Sequence, residues 1–171
     1  MARGDAEFAE FAGASFQRLR RAAYLLTGNS QQAEDAAQTA LVKTYAAWRR
    51  VQRQDPYAYT RRIMVNHLKD QWRRPIREDA HEPERLPDRA SEQDLAGDIT
   101  EQRWLLAALA KLADRERAVV VLRHYFDLSE RDVAAELDIA VGTVKSLNAR
   151  ALAKLRISLD TGEPIMNGVT S

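Results

Sequence analysis

Apolar residues in this chain recur every three to four positions, and they hardly ever alternate one-for-one with polar ones. That interval lays a stripe along a helix of 3.6 residues per turn and leaves no half-buried strand pattern. Phe8, Phe11, Ser15, Leu19, Ala22 and Leu26 fall on one helical face, mostly apolar. Gly28 suits the left-handed cap that ends such a helix, and Asn29 or Ser30 can cap the next. The second helix carries Ala37, Leu41, Thr44, Trp48 and Val51 on its inner face. Asp55-Pro56 opens a third, with Asp as N-cap and Pro in the first turn, and Pro75 stops it after about Arg74. Further helices are predicted over 98–112, 114–125 and 130–137, the last capped by Ser129, and from about 141 to 156. Only 118–122 is a β-prone run. The expected fold is all-α.

The periodicity lapses once. After Pro75 come Pro83 and Pro87 with few apolar residues, the composition of an extended tether. The chain therefore reads as two small helical domains, 1–75 and 99–158, joined by an acidic linker over 76–98 and followed by a flexible tail over 159–171. Charge follows the same division. Residues 1–75 hold 13 basic and 7 acidic residues, a net of +6, whereas 76–101 hold 3 and 9, a net of −6. Residues 102–171 hold 10 and 9, a net of +1. The overall +1 thus conceals a basic first domain, and the argument against nucleic acid that a near-zero net would carry fails.

Composition excludes several classes of function. There is no cysteine, hence no disulfide framework, thiolate zinc site or cysteine nucleophile. His67, His81 and His124 sit in three separate segments without a hydrolase, zincin or phosphate-loop pattern, so no catalytic residue, metal ligand or cofactor is expected. His67 and His124 read instead as satisfied surface or bundle residues. The acidic linker lacks calcium-loop spacing. No apolar run approaches the length of a membrane span, and the N-terminus has no signal-peptide core; a soluble cytoplasmic protein is expected, with no membrane insertion.

The strongest local signal lies at 128–156. A short helix capped by Ser129 is followed by a tight turn at Asp138 and a longer helix, the spacing of a helix-turn-helix. Val133, Leu137, Ile139, Val144 and Leu147 can fill the angle between the two helices, and the small Ala134 lets them approach. On the second helix Val144, Leu147, Ala151 and Leu155 make the buried stripe, leaving Gly142, Lys145, Ser146, Ala149, Arg150, Ala153 and Arg156 outside. Cations separated by small residues suit a helix that enters the major groove, where Lys and Arg reach base edges and phosphates. Asp138 tolerates a left-handed turn better than most residues, although Gly would be easiest. Ala140 offers no capping oxygen.

These residues resemble a known family. Val141-Gly142-Thr143-Val144-Lys145-Ser146, with Arg150-Ala151-Leu152 and the upstream segment 112–123, looks like region 4 of the extracytoplasmic-function (ECF) RNA polymerase sigma factors. Ala33-Glu34-Asp35-Ala36-Ala37-Gln38-Thr39-Ala40-Leu41, and Ile63-Met64-Val65-Asn66 with Asp70, resemble region 2. Tyr24-Leu25-Leu26-Thr27-Gly28 ahead of that acidic motif is similar to the actinobacterial SigE-like subgroup. Leu147 and Asn148 depart from the polar or basic residues common there, which bears on promoter preference. The resemblance implies a sigma region 2 domain and a sigma region 4 domain that together bring core RNA polymerase to promoter DNA. Region 4 would read the minus-thirty-five duplex, and region 2 would dock on polymerase and capture the melted minus-ten strand. An anti-sigma protein is a further partner that many members of the family have.

Residues can be assigned to each implied role. Asp35, Gln38, Val42 and Arg49 share an outward face of the second helix, a patch suited to docking on core polymerase or simply a solvated face. On the third helix Arg62, Asn66, Lys69 and Arg73 form a strip at i, i+4, i+7 and i+11. Val65, Leu68 and Trp72 run beside it, as does a stripe of Tyr59 and Ile63. Cations neutralise phosphates and aromatic faces stack unpaired bases, so this strip with Trp72 and Tyr59 is the candidate minus-ten surface. Either aromatic could equally belong to the core, because periodicity does not say which stripe faces inward. Thr143, Lys145, Ser146, Ala149 and Arg150 are the candidate minus-thirty-five residues. A competing expectation is a stand-alone helix-turn-helix regulator whose N-terminal bundle binds a ligand or dimerises.

Overall fold

The computed structural model describes residues 3–73 and 99–160, and among these every regular element is helical. The expected linker, His81 and the end of the tail lie outside the described residues. The chain divides into two compact units, Met1–Tyr24 with Ser30–His81 and Leu25–Asn29 with Glu82–Ser171.

α1 (Arg3–Thr27) belongs to the first unit as far as Tyr24 and ends at Gly28, whose φ of +64° costs a residue without a Cβ little. α2 (Ser30–Ala46) buries Ala33, Ala36, Ala37 and Ala40, a face of small side chains that lets a neighbouring backbone come close. α4 (Pro56–Arg73) packs against α2 and buries Thr60, Arg61, Met64, Val65 and Leu68. Its start is capped as expected, the Ala58 N–H donating to Asp55 Oδ1 at 3.0 Å. Between α2 and α4 the Thr44 and Thr60 hydroxyls meet at 2.8 Å, both fully buried. Thr44 Oγ1 also reaches Ala40 O at 2.8 Å and Thr60 Oγ1 reaches Pro56 O at 2.7 Å. Two protons are thus shared among three contacts.

The single second helix expected from the sequence is broken. Ala47 leaves the helical region at φ −101°, ψ 8°, and a short helix α3 (Trp48–Val51) follows. The break lets the Trp48 ring settle against Phe8 and Phe11, each centroid 5.2 Å away, and leaves Val51 fully buried. Aromatic packing across to α1 outweighs helix continuity, which local periodicity does not register.

In the second unit α5 (Ile99–Ala110) stops two residues before the expected end, although Leu112 is buried. Arg117 explains the stop. Its guanidinium, in a residue only 4% exposed, donates to Leu109 O at 2.8 Å, Ala110 O at 3.4 Å and Leu112 O at 2.7 Å. A buried cation so adds donors to the carbonyls at the end of a helix, where intrahelical N–H partners run out. The expected helix over 114–125 is α6 (Asp114–Val120) followed by a π-helical turn (Val121–Tyr125). That turn is closed by the Phe126 N–H on Val121 O at 3.2 Å and the Leu128 N–H on Leu122 O at 3.1 Å. Its β-branched run is helical because Val119, Val120, Val121 and Leu122 are all buried, so packing overrides their strand preference.

α7 (Glu130–Leu137) and α8 (Val141–Asp160) form the helix-turn-helix. Ser129 Oγ accepts from the Asp132 N–H at 3.1 Å, as expected of the cap. Asp138 adopts φ 55°, ψ 51°, the left-handed turn anticipated for it. Val133 and Val144 meet the core fully buried, with Ala134 and Leu137 also buried. α8 runs about one turn past Arg156, so Asp160, expected in a frayed tail, is helical.

Candidate polymerase and promoter interfaces

On α2, Asp35, Gln38 and Val42 are exposed, Val42 by 69%. Gln31 Nε2 donates to Asp35 Oδ1 at 3.0 Å and Gln38 Nε2 to Glu34 Oε1 at 3.1 Å, which orders the polar part of this face. Arg49 is exposed but belongs to α3, beyond the break at Ala47, so the continuous register that joined it to Val42 does not hold. Tyr45, absent from the residues expected on this face, is 50% exposed beside them. Its hydroxyl donates to Asp5 Oδ1 at 2.8 Å, and its ring lies 4.9 Å from that of Phe8. Tyr45 stands three residues after Val42 and seven after Gln38, so helical spacing was a sufficient signal.

α4 presents a cationic ridge. Arg62, Asn66 and Arg73 are exposed and Lys69 is half-buried. Val65 and Leu68, placed beside the strip on spacing alone, are core residues. Tyr59, Ile63 and Trp72 are half-buried, which neither sinks them in the core nor bares their faces. At about 100° per residue, Tyr59 and Ile63 flank the strip on one side and Trp72 on the other. The Arg50 guanidinium lies 5.5 Å above the Tyr59 ring and Arg50 Nη2 donates to its hydroxyl at 3.4 Å, adding a cation that α4 periodicity has no means to reveal. His67 meets Gln71 through Nε2 at 3.3 Å, in keeping with a satisfied surface histidine.

On α8, Thr143, Lys145, Ser146, Ala149 and Arg150 are all exposed, opposite the buried Val144 and Ala151. Ser146 Oγ donates to Gly142 O at 3.1 Å, which leaves its lone pairs outward. Lys145 Nζ lies 3.9 Å from Glu130 Oε2, a loose and largely exposed pair that yields readily to a stronger anion. His124 Nε2 lies 3.2 Å from Asn148 Oδ1, tying the π-helical turn to α8. No helix among the described residues is long and apolar enough to cross a membrane.

Comparison with known families matches two parts of the chain. The family described as Sigma-70 region 2 matches residues 14–77, and Sigma-70, region 4 matches residues 102–155. An RNA polymerase sigma-E factor of Streptomyces avermitilis is 39% identical over 163 residues, covering 94% of this chain and 90% of that protein. The chain is a member of the ECF sigma-factor family. Its SigE-like character is carried by that relative and by the RNA polymerase sigma-E factor of Streptomyces coelicolor, 37% identical over 158 residues, with 90% and 86% covered. A solved structure of the sigma factor RpoE in complex with the anti-sigma factor NepR, from Bartonella quintana, has the same fold at a TM-score of 0.70. It is 24% identical and covers 90% of this chain and 97% of that one. CnrH in complex with the cytosolic domain of CnrY matches at a TM-score of 0.63 and 24% identity, covering 92% and 90%. A stand-alone regulator would have no need of region 2, and this sigma factor has both regions.

Proposed function

We propose that this sigma factor binds core RNA polymerase and directs it to particular promoters, where transcription starts. The observation that carries the reading is that regions 2 and 4 occur in order on one chain, at residues 14–77 and 102–155. In this reading residues 1–75 act on polymerase and on the minus-ten element, 76–98 form the linker, and 99–158 act on the minus-thirty-five element. Asp35, Gln38 and Val42 form the polymerase patch, with Arg49 at its edge across the break. A carboxylate, an amide and an exposed Val suit a basic helical partner. Arg62, Asn66, Lys69 and Arg73 follow the melted strand, flanked by Tyr59 and Trp72, whose half-buried rings stack unpaired bases. Thr143, Lys145, Ser146, Ala149 and Arg150 enter the major groove. The chemistry of RNA synthesis belongs to the polymerase; this chain contributes recognition and no catalytic group. It works in the cytoplasm, with the polymerase and the chromosome.

An anti-sigma protein is a further partner in this reading. Its support is the likeness to RpoE, whose solved structure is a complex with the anti-sigma factor NepR.

The test is transcription by core polymerase on a library of random promoters. Addition of the full chain is expected to produce transcripts from a defined two-element subset. Arg150→Ala is expected to weaken promoter binding across sequences and to reduce the salt slope by about one charge. Arg62→Ala with Lys69→Ala is expected to slow promoter opening more than initial docking. No promoter-dependent transcript with active core would overturn the proposal.

A further inference from the structure

One polar pair beside the recognition helix takes no part in that reading. His124 is exposed on the π-helical turn, and its Nε2 lies 3.2 Å from Oδ1 of Asn148, a half-buried residue of α8. The turn is built to hold it there. Compared with an α-helical turn, a π-helical one carries an extra residue, which rotates the downstream chain by about 100°. The Leu128 N–H on Leu122 O at 3.1 Å, the Arg123 guanidinium on Leu128 O, and Asp127 at φ 56° then lock the exit from the turn. Asn148 stands three residues after Lys145 and two before Arg150. By helical spacing it lies about 60° round α8 from Lys145, on the flank of the face that meets duplex DNA.

The pairing limits what Asn148 offers. A free Asn amide presents a donor and an acceptor together, the combination that reads the N6 and N7 edge of adenine. With His124 Nε2–H donating to Oδ1, one of the two lone pairs of the carbonyl is taken, while both N–H donors of the NH2 group remain to offer. That group seeks an acceptor oxygen, either on a backbone phosphate or on the O6 or O4 edge of guanine or thymine. An imidazolium would donate from Nε2 as well, so the arrangement does not depend on the charge of His124. We infer that His124 is a positioning residue for minus-thirty-five recognition: it holds the Asn148 carbonyl so that the amide presents hydrogen-bond donors to the duplex. This rests on the assignment of α8 as the recognition helix.

The experiment uses holoenzyme assembled from the full chain and core polymerase. Equilibrium binding is measured to promoter fragments carrying every single-base change in the minus-thirty-five element, at several salt concentrations. Asn148→Ala is expected to weaken binding about two- to tenfold, the worth of one net hydrogen bond. His124→Phe is expected to weaken it similarly, and His124→Gln, whose amide can donate to Asn148, to recover most of the loss. The double variant H124F/N148A is expected to bind no more weakly than N148A alone. A phosphate contact appears as a loss spread evenly over all sequences, and a base contact as a loss confined to one position.

Additive losses in the double variant overturn the inference, since His124 would then act by itself. So does full binding by Asn148→Ala, or equal loss by the Gln and Phe variants when their thermal unfolding matches the parent. If His124→Phe unfolds the unit, Asn148→Ala and His124→Gln decide the matter without it. Arg150→Ala separates the two levels. Loss with that variant but not with Asn148→Ala sinks the inference alone, and no loss with either sinks the assignment of α8.

Discussion

Replacing Arg117 by Met removes a buried guanidinium while nearly conserving its length. Within the segment 99–120 the guanidinium bonds Leu109 O at 2.8 Å, Leu112 O at 2.7 Å, Ala110 O at 3.4 Å and Asp114 Oδ1 at 3.1 Å. The two short bonds dominate, each worth about 1.5–3 kcal/mol as a charge-assisted contact. Leu109 O keeps the Leu112 N–H at 3.0 Å, so its loss is partial. Those values are already net of the desolvation of the cation. A net loss of about 2–4 kcal/mol results. The Asp114 pair adds little, because that carboxylate is 39% exposed beside a guanidinium that is 5% exposed. Asp114→Asn should therefore cost under about 1 kcal/mol. Native-state hydrogen exchange read by mass spectrometry reports each unit of the full chain separately. Protection over α5 and α6 is expected to fall roughly 30- to 700-fold in Arg117→Met, with α4 unchanged. A fall of less than about threefold would refute the view that Arg117 holds the end of α5.

Three further outcomes are expected. Asp138→Gly should stabilise the second unit by up to about 1 kcal/mol in the same exchange measurement, since only the Cβ opposes φ 55° there; no gain would mean that Asp138 bears no strain. Thr44→Val should cost about 1 kcal/mol, and Thr44→Val with Thr60→Val scarcely more, because two protons serve three contacts; fully additive costs would contradict that sharing. The hydrogen bond to Asp5, then the charge of Asp5, then burial raise the Tyr45 phenol above its ordinary 10.0. This contribution to stability is complete below about pH 10 and is lost as pH rises through the higher folded value. Asp5→Ala should bring one of the five phenolate titrations to lower pH in near-ultraviolet absorbance, and identical curves would dismiss the contact.

The all-α fold, the caps at Gly28, Asp55, Ser129 and Asp138, and the exposed face of α8 were legible in the sequence, because each depends on residues within a few positions of one another. Spacing alone also brought out every cationic side chain of the α4 strip. Tyr45 was within reach of the same spacing and was overlooked. What only the tertiary structure decided depends on partners far along the chain. Trp48 breaks α2 because its ring packs on Phe8 and Phe11, some forty residues away. Val65 and Leu68 belong to the core of a unit in which α4 packs on α2, and Tyr59 acquires its cation from Arg50 in a different helix. Burial of 118–122 keeps a β-prone run helical, and its end continues as the π-helical turn. That turn then carries His124 to Asn148, across 24 residues of sequence. Local periodicity states which residues share a face; which face is covered, and by what, is settled by packing between elements that no short window of sequence contains.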